Sequence, residues 1–165
     1  MELARRAGIE RIVDVRKMPQ SRRHPQFGRE AMQAWLAESD VAYRWDARLG
    51  GFRKPRPDSR NVSLRNLSFR GYADYMQTPP FWHALSELTL EANAARSAIM
   101  CSESLWWRCH RRLIGDALVL CLGFEVLDLM HDGGLVPHRV TEGARLDGNL
   151  VVYDALTLPA GPGRP

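Results

Sequence analysis

A cysteine closing an apolar run, a glutamate two places on, and then Cys-His-Arg-Arg opening a helical pattern make SAIMCSESLWWRCHRRLIGDAL, residues 97–118, the stretch best equipped for chemistry. Cys109 falls at a helix start, where aligned peptide dipoles place roughly half a positive charge. Flanked by Arg108, His110 and Arg111, it is the expected low-pKa thiol and nucleophile. Buried, it and Cys101 would be small inert hydrophobes. Glu103 can act as a general base or hold a sugar hydroxyl, or pair with Arg108 or Arg111 and merely fix the turn. Cys101, Glu103, Cys109 and His110 are all metal-ligand types, but there is no C-x-x-C pair, and chain neighbours such as Cys109 and His110 rarely share one ion, so no metal is expected. A thiolate cradle of the phosphatase or rhodanese kind is also disfavoured. Six residues separate Cys101 from Arg108, one more than the phosphatase spacing, and Leu105, Trp106 and Trp107 are bulky where such a loop needs small residues.

Charge adds a partner class. The chain carries 23 Lys and Arg against 19 Asp and Glu, and of the basic residues only Lys17 and Lys54 are lysine. A planar guanidinium grips phosphate or carboxylate at two points, so this usage favours an anionic partner; a genomic preference for arginine codons would leave the same trace.

These groups need a frame to hold them. A chain of 165 residues, 45% hydrophobic and 25% charged, can bury one core. A single α/β domain over 1–165 is expected, with about 156–165 a frayed Pro/Gly tail. No window nears the roughly 18 apolar residues of a membrane span, and the first residues lack the apolar centre of a secretory signal. Cys101, Cys109 and Cys121 are too few for a disulfide framework. A reduced, cytoplasmic protein with no membrane partner is expected.

Residues 2–7 read as a helix stopped by Gly8. IERIVDVR reads as a buried strand that delivers Asp14 and Arg16 to its carboxyl end, where open α/β sheets place ligands. A basic loop leads into a helix carrying Phe27, Met32, Trp35 and Leu36, then a second strand, VAYRW. The long segment ARLGGFRKPRPDSRNVSLRN is a loop, functional or disordered. FRGYADYM gives a short helix, and a longer one starts near Pro79 and Pro80. Strand SAIMC, helix CHRRLIGDALVLCLG ended by Gly123, strand FEVLDLM, a Gly-Gly turn and an edge strand NLVVY complete the series. Alternating strands and helices predict a mostly parallel sheet with helices on both faces. Neither a phosphate-binding glycine loop with its lysine nor a G-x-G-x-x-G turn is present.

Five ordered motifs, VDVRKMPQSRRHPQF, LGGFRKP, FRGYADYM, MCSESLWWRCHR and VPHRVTEGARLDGNLVVYD, resemble the bacterial family named domain of unknown function 488, over nearly the entire chain. The resemblance implies a three-layer α/β fold and no established activity. Carried over position by position, it implies a shared polar set of Asp14, Arg16, Ser21, Arg22, Arg23, Arg53, Arg70, Tyr72, Tyr75, Cys101, Glu103, Cys109, His110, Arg111 and His138. The chain departs from the family pattern twice. Members usually begin with one more strand ending in a Gly-His-Ser-like turn, whereas this chain opens in the helix that follows, and Asp128 stands where the family tends to have histidine. A sheet without that strand exposes an edge, so homodimerisation through it is expected.

The leading expectation is an enzyme acting on a phosphate-bearing substrate, a nucleotide or nucleic-acid moiety. Arg16, Arg22, Arg23 and Arg70 would hold the anion, Tyr72 or Tyr75 would stack on a base or bond a sugar, and Glu103 with Cys109 or His110 would move protons or attack. No particular cofactor is indicated. One alternative is a non-catalytic nucleic-acid-binding module, since SRRHPQFGR, RKPRPDSR and SLRNLSFRGY interleave arginines with aromatics. Another is a thiol-based sulfur or redox protein using Cys101 and Cys109. In the plainest alternative, the cysteines and histidine only stabilise a turn.

Overall fold

Short β-branched runs form the centre of the protein. In the computed structural model, which describes residues 2–154, β1 (Arg11–Asp14), β2 (Ala42–Trp45) and β3 (Ser97–Met100) make a parallel sheet in the order β2-β1-β3. Arg11 lies opposite both Ala42 and Ser97, so all three strands end at the same level. The tail expected to fray at about 156–165 lies outside the described residues. The helices are α1 (Glu2–Arg6), α2 (Arg29–Ala37), α3 (Leu67–Met76), α4 (Pro79–Ala94) and α5 (Arg111–Leu122). Their limits have local causes. The Asn66 side chain accepts from the Ser68 and Phe69 amides at the start of α3, two prolines open α4, and Gly123 closes α5 in the left-handed conformation with φ 66°.

Alternation along the strands separates two apolar clusters. Val13, Val15, Ile99 and Cys101 join Tyr72, Phe81, Leu85, Leu113 and Ile114 from α3, α4 and α5. Ile12, Tyr43 and Met100 pack instead with Met32 and Leu36 of α2. Val13 and Val15 are wholly buried, each contributing about 1.5–3 kcal/mol of hydrophobic stabilisation.

Two antiparallel hairpins follow α5, where sequence alternation suggested more of the parallel sheet. FEVLDLM supplies β4 (Leu127–Leu129), which pairs with β5 (Leu135–Pro137). Parallel pairing needs a crossover of about a dozen residues. Here the chain turns back at once, with the Met130 amide on the Gly134 carbonyl and the Gly134 amide on Asp132 Oδ1. NLVVY supplies β7 (Leu150–Tyr153), paired with β6 (Ala144–Asp147) across Gly148, whose φ of 61° suits the first position of a two-residue hairpin turn. It is no edge of the main sheet, and Val151, Val152 and Tyr153 are buried.

The long loop after β2 is tied down by one carboxylate. Asp74 of α3 accepts from the Arg56 amide at 2.8 Å, the Ser59 hydroxyl at 2.6 Å and the Asn61 amide group at 2.8 Å. Asn61 Oδ1 in turn accepts from the Tyr153 amide at 3.0 Å. A loop that composition leaves open as disordered is thereby fixed to α3 and β7.

Candidate active site

The level ends of the three strands open a cleft of about 380 Å³, lined among others by Lys17, Phe52, Cys101, Glu103, Arg108 and His110. Open α/β sheets place their ligands at this carboxyl edge. Each side chain arrives there for a local reason. Cys101 is the first residue past β3, and the Val15 amide bonds to the Met100 carbonyl at 2.9 Å, extending the ladder to the cleft floor. Trp106–Arg108 make one 3-10 turn, after which Cys109 is extended and His110 is helical. That change of backbone direction brings two neighbouring side chains to one place. Cys109 Sγ lies 3.6 Å from His110 Nδ1, and the donor atoms of Cys101, Cys109 and His110 are all within 4.8 Å of one another.

The histidine is held from several sides. His110 Nε2 faces the Val15 carbonyl at 3.2 Å; a carbonyl only accepts, so Nε2 carries a proton, and Nδ1 faces the sulfurs. The Tyr72 ring packs on the imidazole with centroids 5.0 Å apart. Gly51 closes the remaining approach, since a Cβ there would stand 3.0 Å from Nδ1. Arg111 donates Nε–H to Cys109 Sγ at 3.4 Å and bonds the Glu103 carbonyl through its NH2 group.

The thiols differ in acidity, and in the opposite sense to the sequence expectation. The Cys109 thiol, bonded toward Cys101, holds Cys101 well below the ordinary thiol range against the effect of burial, helped by His110 and the Glu103 backbone. Its bond to Cys101 and its burial push Cys109 up. Cys109 is only 3% exposed, so proximity to a helix start does not make it the acidic thiol.

The remaining predicted residues divide clearly. Arg16 reaches the cleft wall, but its guanidinium is spent on Asp14 (2.5 Å to Oδ2), the Phe27 carbonyl and Met32 Sδ. Asp14 also accepts from Tyr43 at 2.7 Å, so this buried pair braces the strand end. Tyr72 is fully buried with its hydroxyl on the Leu49 carbonyl, which corrects the expectation that it stacks on a substrate. The face of Tyr75 is taken by Arg53, 3.6 Å from the ring centroid. Arg70 bonds the Leu64 and Val62 carbonyls, and Ser21 accepts from the His24 amide in the exposed loop that also carries Arg22 and Arg23. Tyr72, Tyr75, Arg53, Arg70, Ser21, Arg22 and Arg23 all lie outside the cleft lining. His138 belongs to a separate buried network, between Asp116 and Asp128 at 3.1 Å each.

Sequence reasoning missed Lys17, Met18, Phe52 and Phe69 as lining residues. Lys17 was legible in principle, standing beside Arg16 just past a strand end. Phe52 was not, because its place depends on a φ of 59°, rare for a bulky residue, that leaves the ring 84% exposed on the rim.

A family model described as domain of unknown function DUF488 matches residues 1–118. The chain belongs to this family. Every cleft-lining residue falls inside the DUF488 match, whereas β4 to β7 fall beyond it, although the motif resemblance runs on through residues 136–154. No curated protein and no solved structure matches the chain.

Proposed function

We propose that the cleft is the active site of an enzyme acting on a phosphate-bearing substrate, a nucleotide or a nucleic-acid end. One observation carries this reading: two cations without a carboxylate partner among the described residues, Lys17 and Arg108, line the same cleft as Glu103 and the Cys101-Cys109-His110 cluster. An unpaired cation beside reactive donors is how an anion is held for reaction. Arg16 positions the strand end; Lys17 and Arg108 bind the anion. Phe52 supports a substrate with a flat ring as well as a charge. A bulky residue in the left-handed region costs about 1–2 kcal/mol, and Phe52 holds that conformation with its ring exposed on the rim. Glu103 serves as the general base. The two apolar clusters on opposite sheet faces support the three-layer arrangement that the family resemblance implies.

The test is a thermal-shift and calorimetric screen with inorganic phosphate, nucleotides and short oligonucleotides. Phosphate compounds are expected to raise the Tm, and Lys17→Ala or Arg108→Ala to weaken binding about tenfold each, the worth of one charge-assisted hydrogen bond. Glu103→Gln is expected to bind as before and lose turnover. Equal stabilisation of a Lys17→Ala/Arg108→Ala double variant and the parent would overturn the assignment.

A further inference from the structure

We propose that Cys101, Cys109 and His110 together bind a zinc-class divalent cation, leaving one coordination position open to the cleft. Two sulfurs and an imidazole nitrogen are the donor set that selects this ion class over magnesium or calcium. Distance is the first argument. Ligands at 2.3 Å for sulfur and 2.0 Å for nitrogen, at a tetrahedral angle, stand about 3.5 Å apart, and Cys109 Sγ and His110 Nδ1 are 3.6 Å apart. The third donor, Cys101 Sγ, is within 4.8 Å of both.

The surroundings are the second argument. A ligating histidine almost always donates its other ring N–H to a carbonyl or carboxylate, which fixes the tautomer and aims the free nitrogen. His110 does this with the Val15 carbonyl at 3.2 Å. Arg111 Nε–H on Cys109 Sγ at 3.4 Å is the matching outer bond to a ligand sulfur. The objection from sequence, that neighbours seldom share an ion, is met by the backbone: Cys109 has φ −118° and ψ 152°, His110 φ −61° and ψ −16°, and the break between them turns both side chains inward.

Three protein donors with the fourth position facing a cleft is the pattern of catalytic zinc, whereas structural zinc is closed by four. A cation there would bring a bound water toward neutral pKa beside Glu103. The inference stands apart from the substrate assignment: a metal without phosphate binding would keep the first and sink the second, and phosphate binding without a metal the reverse.

Cobalt(II) is the probe, added to the full chain after chelator treatment under a non-thiol reductant. One equivalent is expected to produce sulfur-to-cobalt charge transfer and the ligand-field absorption of a tetrahedral site, both erased by one equivalent of zinc. Zinc is expected to raise the Tm. Because Cys109 is buried and its variants risk misfolding, Cys101→Ala and His110→Gln are the informative changes, with folding checked by circular dichroism. Each is expected to lose the charge-transfer intensity or the tetrahedral pattern, while Glu103→Gln keeps both. Absence of sulfur-to-cobalt absorption in the reduced parent, or its persistence unchanged in Cys101→Ala, would overturn the site.

Discussion

His138 is a buried side chain gripped by two carboxylates, and that makes it a pH-dependent strut. Burial alone would lower its pKa, but the hydrogen bonds that the imidazolium donates to Asp116 and Asp128 prevail and raise it from 6.5 to about 9. Asp116 is further held by the Tyr153 hydroxyl at 2.8 Å and the Thr141 amide at 2.9 Å, and Trp106 packs on the imidazole at 5.3 Å. The folded state therefore holds a proton that the unfolded chain releases near pH 6.5. Its stabilisation is complete below that pH and is lost as pH rises through about 9, a loss on the order of 3 kcal/mol. Urea unfolding at pH 6, 8 and 10 is expected to show this fall, and Asp128→Asn to shrink it; a slope identical in parent and variant would show a neutral imidazole. At this scale the sequence was partly legible. Cys101, Glu103, Cys109 and His110 could be read as one site because a single strand-to-helix turn carries them. Their relative roles could not, since the order of thiol acidities follows from which sulfur is buried and which accepts the bond.

Among the elements, the weight falls on the joint between the long loop and α3. Asp74 is 3% exposed and satisfies three donors from residues 56–61. Asp74→Ala strands those donors in a buried position, at about 1–3 kcal/mol for each that water cannot reach. A Tm drop of about 10 °C or more is expected, together with new proteolytic cleavage between Lys54 and Asn61; a variant as protease-resistant as the parent would refute the joint. Helix limits were legible where a cap is chemical: Pro79 opens α4 and Gly123 closes α5 as read, whereas the Asn66 cap of α3 emerged only in the structure. The hairpins were not. Apolar runs such as FEVLDLM and NLVVY look alike whether they join a parallel sheet or fold on a neighbour, and the choice rests on turns of a few residues.

At the scale of the whole molecule, part of the basic composition is tied up in ion pairs. Arg16, Arg44, Arg48, Arg60 and Arg145 are all paired with carboxylates, the last four in networks with Asp46, Glu87, Glu91, Asp147 and Asp154. Of the cations that line the cleft, Arg16 is paired with Asp14, which leaves Lys17 and Arg108. Single-stranded oligonucleotides are expected to bind with a slope of log K on log salt of about −1.4, two phosphates' worth. Fluorescence anisotropy from low to physiological salt measures it, and a slope steeper than about −3 would favour an extended nucleic-acid groove instead. The Asn61 bond to the Tyr153 amide has a further meaning when the molecule is considered in the order of its synthesis. A chain emerging from the ribosome possesses every cleft residue by His110, yet the strand that anchors the loop bearing Gly51 and Phe52 arrives some forty residues later. During that interval the loop whose Gly51 lies against His110 lacks this tie, so the cleft wall is completed only by the last strand of the described fold.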